Sequence, residues 1–195
     1  MVRIAVFASG SGTNAENLIQ YFRQSTIASV SLIVSNNADA GVVGRAIRLK
    51  VPHEIFSKKD FLSGVTILKK LKEEKIDYIV LAGFLLLVPQ LLLSDYKNKI
   101  INLHPALLPL HGGKGYFGSK VHESVIGLKS IISGITVHYV NEEFDEGEII
   151  FQAACHVDSK ETPDSLAKKI HDLEYAYFPV VIEKIISNYS EDSIT

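Results

Sequence analysis

The chain has 195 residues, 47% of them apolar and 22% charged, with 20 basic and 22 acidic side chains for a net charge of −2. That length suits one large domain that needs no disulfide or structural metal, and the composition excludes disorder. The charge balance gives no electrostatic reason for a nucleic acid or a membrane partner, and the single cysteine, Cys155, excludes an intrachain disulfide and a cysteine-built metal cluster.

Val2 to Ala8 is a short apolar run that ends in Ser9-Gly10, the pattern of a buried strand. No secretory signal is visible at this end. Asn14 is placed to cap a helix through Gln24, with Leu18 and Phe22 on one face. Val30 to Val34 is a second strand and Gly41 to Leu49 a short helix closed by Val51-Pro52. Phe61, Val65, Leu68 and Leu71 recur at helical spacing, which predicts one helix over Lys58 to Lys75. Strands follow at Ile76 to Ala82 and Ile100 to Leu103. The longest apolar stretch, Tyr78 to Leu93, is shorter than the ~20 residues that span a bilayer, and Gly83, Pro89 and Gln90 interrupt it. Gly134 to Val140 and Glu148 to Val157 are two strands close enough in sequence to pair antiparallel. Thr162 caps a last helix with Pro163 at its first position and an apolar stripe of Leu166, Ile170, Leu173 and Tyr177; Pro179 is expected to kink or end it.

Strands that alternate with helices imply crossover units and a parallel sheet covered on both faces. The expected fold is α/β: a Rossmann-like, mostly parallel twisted sheet with helices on both faces and an antiparallel C-terminal edge. Residues 1–187 are expected to form one domain and 188–195 a polar, frayed tail. A soluble cytoplasmic protein is expected. Ligands of such sheets bind beyond the carboxyl ends of the strands, so the loops there carry the candidate chemistry.

The first candidate is Gly10-Ser11-Gly12-Thr13-Asn14, between a strand and a helix. Its glycines allow a tight turn, and the helix amides behind them favour an anion such as phosphate. A plain tight turn with an Asn cap is the alternative. The spacing Gly10, Gly12, Ala15 also fits a dinucleotide fingerprint, but Ser35-Asn36-Asn37 stands where a ribose-binding acid is usual. A nucleoside triphosphate is not expected, for no Gly-Lys-Ser/Thr ending is present.

The second is Asn102 and His104, on one face of a strand and followed by Pro105 and Pro109. An amide that donates to an oxyanion and an imidazole that moves a proton suit acyl chemistry. A half-buried His bonded to a loop carbonyl is the alternative. The third is Asn141-Glu142-Glu143-Phe144-Asp145-Glu146-Gly147, either a solvated acidic turn or a turn that directs Asp145 at His104. The fourth is His111 to Gly118, with four glycines in seven residues from Gly112: a mobile loop or lid, with Lys114 as an anion contact, or a plain surface loop. His122, His138 and His156 are scattered without metal-ligand spacing, so no metal is expected.

Together, Phe7 to Asn14, Leu81 to Phe84, Asn102-Leu103-His104-Pro105-Ala106-Leu107-Leu108-Pro109, Gly134 to Val140 and Asp145-Glu146-Gly147 resemble the folate-dependent formyltransferases. The opening glycine motif narrows the resemblance to the phosphoribosylglycinamide formyltransferase branch. It runs from Val2 to about Pro179 in order and spacing. It implies formyl transfer from 10-formyltetrahydrofolate to the amine of 5-phosphoribosylglycinamide, a step of purine synthesis. Carried over by motif, the phosphate loop is Gly12, Thr13 and Asn14, and the catalytic trio is Asn102, His104 and Asp145. The folate pocket corresponds to Leu85, Leu86, Leu87 and Val88, with Asn102 and the turn Asn141, Glu142, Glu143, Phe144 and Asp145. His171 and Glu174 correspond to a segment that contacts the ribonucleotide. Leu85-Leu86-Leu87 departs from the basic residue or Met that many members carry there. The implied partners are two small molecules, with no metal, nucleic acid or membrane; a monomer and a homodimer are both left open. Methionyl-tRNA formyltransferases carry an added C-terminal domain and formyltetrahydrofolate hydrolases an added domain before the catalytic one, so the length and the strand at Val2 favour the ribonucleotide branch. A non-catalytic dinucleotide-binding module is the rival from another class.

Overall fold

The structure, a computed structural model, describes residues 1–192. Among these the strands form one seven-stranded sheet in the order β3-β2-β1-β4-β5-β6-β7. Strands β1 (Val2–Phe7), β2 (Ala28–Ser35), β3 (His53–Ile55), β4 (Tyr78–Ala82) and β5 (Ile100–His104) are mutually parallel. Strands β6 (Ile132–Tyr139) and β7 (Ile149–His156) pair antiparallel in turn and complete one edge. The expected fold class is thus observed.

The alternation of side chains along the central strands explains why both faces are covered. Ile4, Val6, Tyr78 and Val80 face one core, with Leu18 and Phe22 of α1 (Thr13–Phe22), Val42 and Ala46 of α2 (Gly41–Leu49), and Leu166, Ile170 and Phe178 of the C-terminal helix. Ala5, Phe7, Ile79 and Leu81 face the other, with Phe61 of α3 (Lys58–Ser63), Ile67 and Leu71 of α4 (Val65–Glu73) and Leu92 of α5 (Gln90–Asp95). Each such fully buried large side chain contributes about 1.5–3 kcal/mol. Helix α6 (Ser119–Gly127) and the C-terminal helix α7 (Pro163–Asp192) pack on each other over β6.

Several local expectations are corrected. The helix expected over Lys58 to Lys75 is two, because Gly64 turns at φ 72° between them. Ser57 caps α3 through a capping box with Asp60. Asn14 does not cap α1: Gly12, at φ 75°, is the N-cap, and Asn14 lies inside the helix. Thr162 does accept from the Ser165 amide at the start of α7, at 3.2 Å. Pro179 does not end that helix, which continues to Asp192. A proline strips the hydrogen bond from the carbonyl four residues before it. Here that carbonyl, on Tyr175, accepts from Asn17 Nδ2 of α1 at 3.1 Å. The tail expected to fray from residue 188 is helical as far as Asp192, and 193–195 lie outside the described residues. Among the described residues no helix is long and apolar enough to cross a membrane.

Candidate active site

The glycine turn lies at the carboxyl end of β1. The left-handed Gly12 lets the chain enter α1 directly, and a Cβ there would lie 2.5 Å from Val42 Cβ. The first-turn amides of α1 have no partner within the helix, which suits them to an anion. From α2, Arg45 donates through Nε to the Ser11 carbonyl at 2.8 Å, and Arg45 and Arg48 both pair with Glu16. This basic pair was not singled out from sequence, because only the packing of Gly41 onto Ser11 brings α2 over the turn.

Thr13 and Asn14 open α1 toward α7. Asn14 Nδ2 donates to Glu174 Oε2 at 2.7 Å, and His171 Nδ1 meets the same oxygen at 2.7 Å. That contact raises the His171 pKa against the opposing effect of burial. Glu174 is buried, and the buried Asn14 Oδ1 has no hydrogen-bond partner. The phosphate-loop and ribonucleotide candidates therefore meet side by side.

The second group gathers at β5. His104 is buried, and its Nδ1 lies 3.4 Å from Asp145 Oδ2. Asn102 Nδ2 donates to Asp145 Oδ1 at 3.3 Å. The three residues matched by motif, 43 positions apart at most, thus share one cluster. The route of Asp145 is not the simple one. Because β6 runs antiparallel, its closing turn leaves beside the start of β5, where the Val140 amide donates to the Ile100 carbonyl. Asp145, at φ 60°, brings its side chain back to Asn102 and His104, and the Gly113 amide donates to its Oδ2 at 3.0 Å.

His138 completes the cluster, and sequence reading had left it as a scattered histidine. It sits directly opposite Asn102 in the β5–β6 register. Its Nδ1 lies 2.7 Å from the Tyr139 carbonyl, which only accepts, so Nδ1 carries the hydrogen. Its Nε2 lies 3.0 Å from Asn102 Nδ2 and 3.6 Å from Asp145 Oδ1. The signal that would have found it is the period of two along β6 combined with its pairing to β5. Two residues on, Thr136 pairs with His104 in register, donates to the Ala106 carbonyl and accepts from the Leu108 amide, shaping the chain that leaves β5.

Electrostatics follow from this packing. Burial holds the His104 ring below the usual imidazole pKa, and the Asp145 charge offsets only part of that. Burial opposes ionisation of Asp145, but His138, His104 and the Gly113 amide outweigh it, so the carboxyl lies below its usual range.

The two segments matched to the folate pocket also come together: Gln90 Nε2, at the end of the apolar run, donates to Glu142 Oε1 at 3.3 Å. Val88 belongs to the core, Leu86 packs partly on it, and Leu85 and Leu87 remain 47% and 48% exposed. Phe84 is partly buried and packs on Phe7 and Phe61 at the border of the core. Asn141, Glu142 and Glu143 are exposed, and Asn141 Oδ1 accepts from the Glu143 amide. Phe144 and Asp145 line a cavity of about 320 Å³ with Leu108, Gly113, Gly147 and Ile149. Lys114 is exposed on the glycine-rich loop. Among the described residues no group of three His, Cys, Asp or Glu could hold a metal ion.

Sheet order, glycine turn and side-chain cluster together define a Rossmann-like α/β protein with a polar centre set against its antiparallel edge. Residues 2–182 match the formyl transferase family, and the chain belongs to that family. It is 37% identical to the chloroplastic phosphoribosylglycinamide formyltransferase of Arabidopsis thaliana over 92% of this chain, and spans 64% of that protein's length. It is 35% identical to the phosphoribosylglycinamide formyltransferase of Bacillus subtilis, over 95% of each chain. The crystal structure of glycinamide ribonucleotide transformylase 1 from Geobacillus kaustophilus is similar with a TM-score of 0.87 at 37% identity, over 95% of this chain and 99% of that one.

Proposed function

We propose that the chain transfers a formyl group from 10-formyltetrahydrofolate to the amine of 5-phosphoribosylglycinamide, in purine synthesis, through Asn102, His104 and Asp145. The relatives named for that activity support the acceptor. One observation carries the chemistry: a carboxylate of Asp145 lies between Asn102 Nδ2 and His104 Nδ1, at 3.3 and 3.4 Å. The same two groups would hold the oxyanion of a tetrahedral intermediate, so the centre already accommodates negatively charged oxygen there.

The residues fit both substrates. The α1 amides at Gly12, Thr13 and Asn14 receive the phosphate, aided by Arg45. Glu174, with His171 beside it, accepts from ribose hydroxyls, and the unpaired Asn14 Oδ1 accepts a further donor there. Leu85 and Leu87 present exposed apolar surface suited to a flat ring, and Phe144 with Asp145 lines a cavity whose volume of about 320 Å³ lies within the range of small-molecule sites. The donor supplies an activated one-carbon acyl group. As the amine nitrogen bonds to the formyl carbon, Asn102 Nδ2 donates to the oxygen that takes up the electron pair, and His104 Nδ1, once it has taken the proton that the amine loses, does the same. Asp145 and His104 then relay the proton that the amine loses and the departing nitrogen gains. Asp145 stabilises the imidazolium form of His104.

Residues 1–187 would act as one domain, since both cores flank one continuous sheet. A reducing, cytoplasmic compartment suits the lone Cys155. The test is an assay with 10-formyltetrahydrofolate, with and without 5-phosphoribosylglycinamide. Tetrahydrofolate should form only when the amine is present; release that ignores the amine would favour a hydrolase, and no release would refute the reading.

A further inference from the structure

We propose that His111 is a positioning residue whose main-chain carbonyl fixes the His104 ring with a proton on Nε2, leaving Nδ1 as the nitrogen that exchanges protons. The proposal rests on the role assigned to His104 and adds to it a residue that the motif does not contain.

His104 Nε2 lies 2.9 Å from the His111 carbonyl oxygen. A carbonyl only accepts, so Nε2 carries a hydrogen in both the neutral and the charged ring. In the neutral ring Nδ1 therefore presents a lone pair to Asp145 Oδ2 at 3.4 Å. Two such electron-rich atoms repel until a proton sits between them. The contact becomes an ion pair only when His104 is protonated on Nδ1. Without the carbonyl, the neutral ring would favour the other tautomer, in which Nδ1–H donates to Asp145 and Nε2 is bare. The carbonyl thus decides which nitrogen faces Asp145 with a free electron pair.

The carbonyl is held in place by side chains. His111 has φ 58°, a left-handed conformation that is unfavourable for a non-glycine residue. Its ring offsets this. Nδ1 lies 2.9 Å from Ser124 Oγ in α6, and Nε2 lies 3.4 Å from Ser130 Oγ in the turn after α6. That turn is tied back, since the Ser130 amide donates to the Val125 carbonyl. A neutral ring can donate to one serine hydroxyl and accept from the other, so both nitrogens are used. The next residues extend the device: the Gly113 amide donates to Asp145 Oδ2 at 3.0 Å. His111 and Gly113, two positions apart, therefore grip both members of the pair, a carbonyl on the imidazole and an amide on the carboxylate.

The test combines side-chain 15N NMR of His104 at pH 7.5 with initial-rate kinetics on the full chain. Wild type should show neutral His104 as the Nε2–H tautomer. Ser124→Ala with Ser130→Ala should shift it toward Nδ1–H, lower kcat about tenfold and leave both KM values within twofold. Ser124→Thr, which keeps the hydroxyl, should behave as wild type. An Nδ1–H tautomer in wild type overturns the proposal even if the double variant fails to fold. So does a double variant that keeps the Nε2–H tautomer, whatever its rate. A changed tautomer with an unchanged rate upholds the grip of His111 and refutes instead the catalytic reading of His104.

Discussion

The glycine turn and the β5 centre are built by different means. The turn is made of main chain: Gly12 at φ 75°, first-turn amides of α1, and close packing on Val42. The side chain that braces it, Arg45, does so through the Ser11 carbonyl. The centre is made of side chains from β5, from β6 and from the turn after β6, held by hydrogen bonds between them. The first should fail through geometry and stability, the second through chemistry with the fold intact.

The sharpest way to break this contrast is Asn102→Ala. Removing one preorganised oxyanion donor costs about 3 kcal/mol of barrier. Turnover should fall roughly a hundredfold or more, while circular dichroism at 25 °C shows a folded chain. Wild-type turnover would remove Asn102 from the mechanism.

Gly12→Ala should do the reverse. Its Cβ would lie 2.5 Å from Val42 Cβ in a conformation unfavourable to alanine. Strain of this kind costs about 1–2 kcal/mol and overpacking about 1–3 kcal/mol. The denaturation midpoint should drop by an amount equivalent to about 2–5 kcal/mol, and KM for the phosphorylated substrate should rise. Unchanged stability would mean that α2 can yield, and that the turn is not held by packing.

The same contrast governs how much could be read from sequence. The turn was legible because its signals are local: a buried run, a glycine loop and a helix in succession. So were Thr162-Pro163 at the start of α7 and the exact span of α2, Gly41–Leu49. Asn102 and His104 were legible as a pair from strand alternation, whereas for Asp145 a plain acidic turn stood as the alternative until the motif joined it to them. That His104 meets Asp145 depends on a turn folding back along the sheet, which no local pattern encodes. His138 was overlooked for a related reason, since its role appears only when β6 is laid beside β5 in register. Asn14 and Pro179 were misread because their partners lie on another helix. Glu174 draws the Asn14 side chain away from a capping role, and Asn17 takes the carbonyl that Pro179 frees. Gly64 escaped notice because the apolar spacing runs on across it, while Pro89 packs where its Cβ would be.

The mildest perturbation, pH, separates the two regions by sign. Burial lowers the pKa of His104 and His111, in the β5 centre, and of His122 on α6, which feels Glu174 and His171 as well as His104. A lowered value contributes stability that is complete above the unfolded pKa of about 6.5 and is lost as pH falls toward the folded value. His171 behaves oppositely. Its hydrogen bond to Glu174 raises its pKa, so its contribution is complete below about 6.5 and fades as pH rises through the folded value. Acidification from pH 7.5 to 5.5 should therefore loosen the centre and strengthen the tie between α7 and the glycine turn. Amide hydrogen exchange, corrected for intrinsic rates, should show protection falling around 104–113 and in α6 but retained in α1 and the first turns of α7. A uniform loss across all four segments would contradict the assignment, because only groups of opposite sign can make the two regions diverge. His122→Gln sharpens the test: it removes one buried titrating ring from α6, so protection in that helix should depend less on pH.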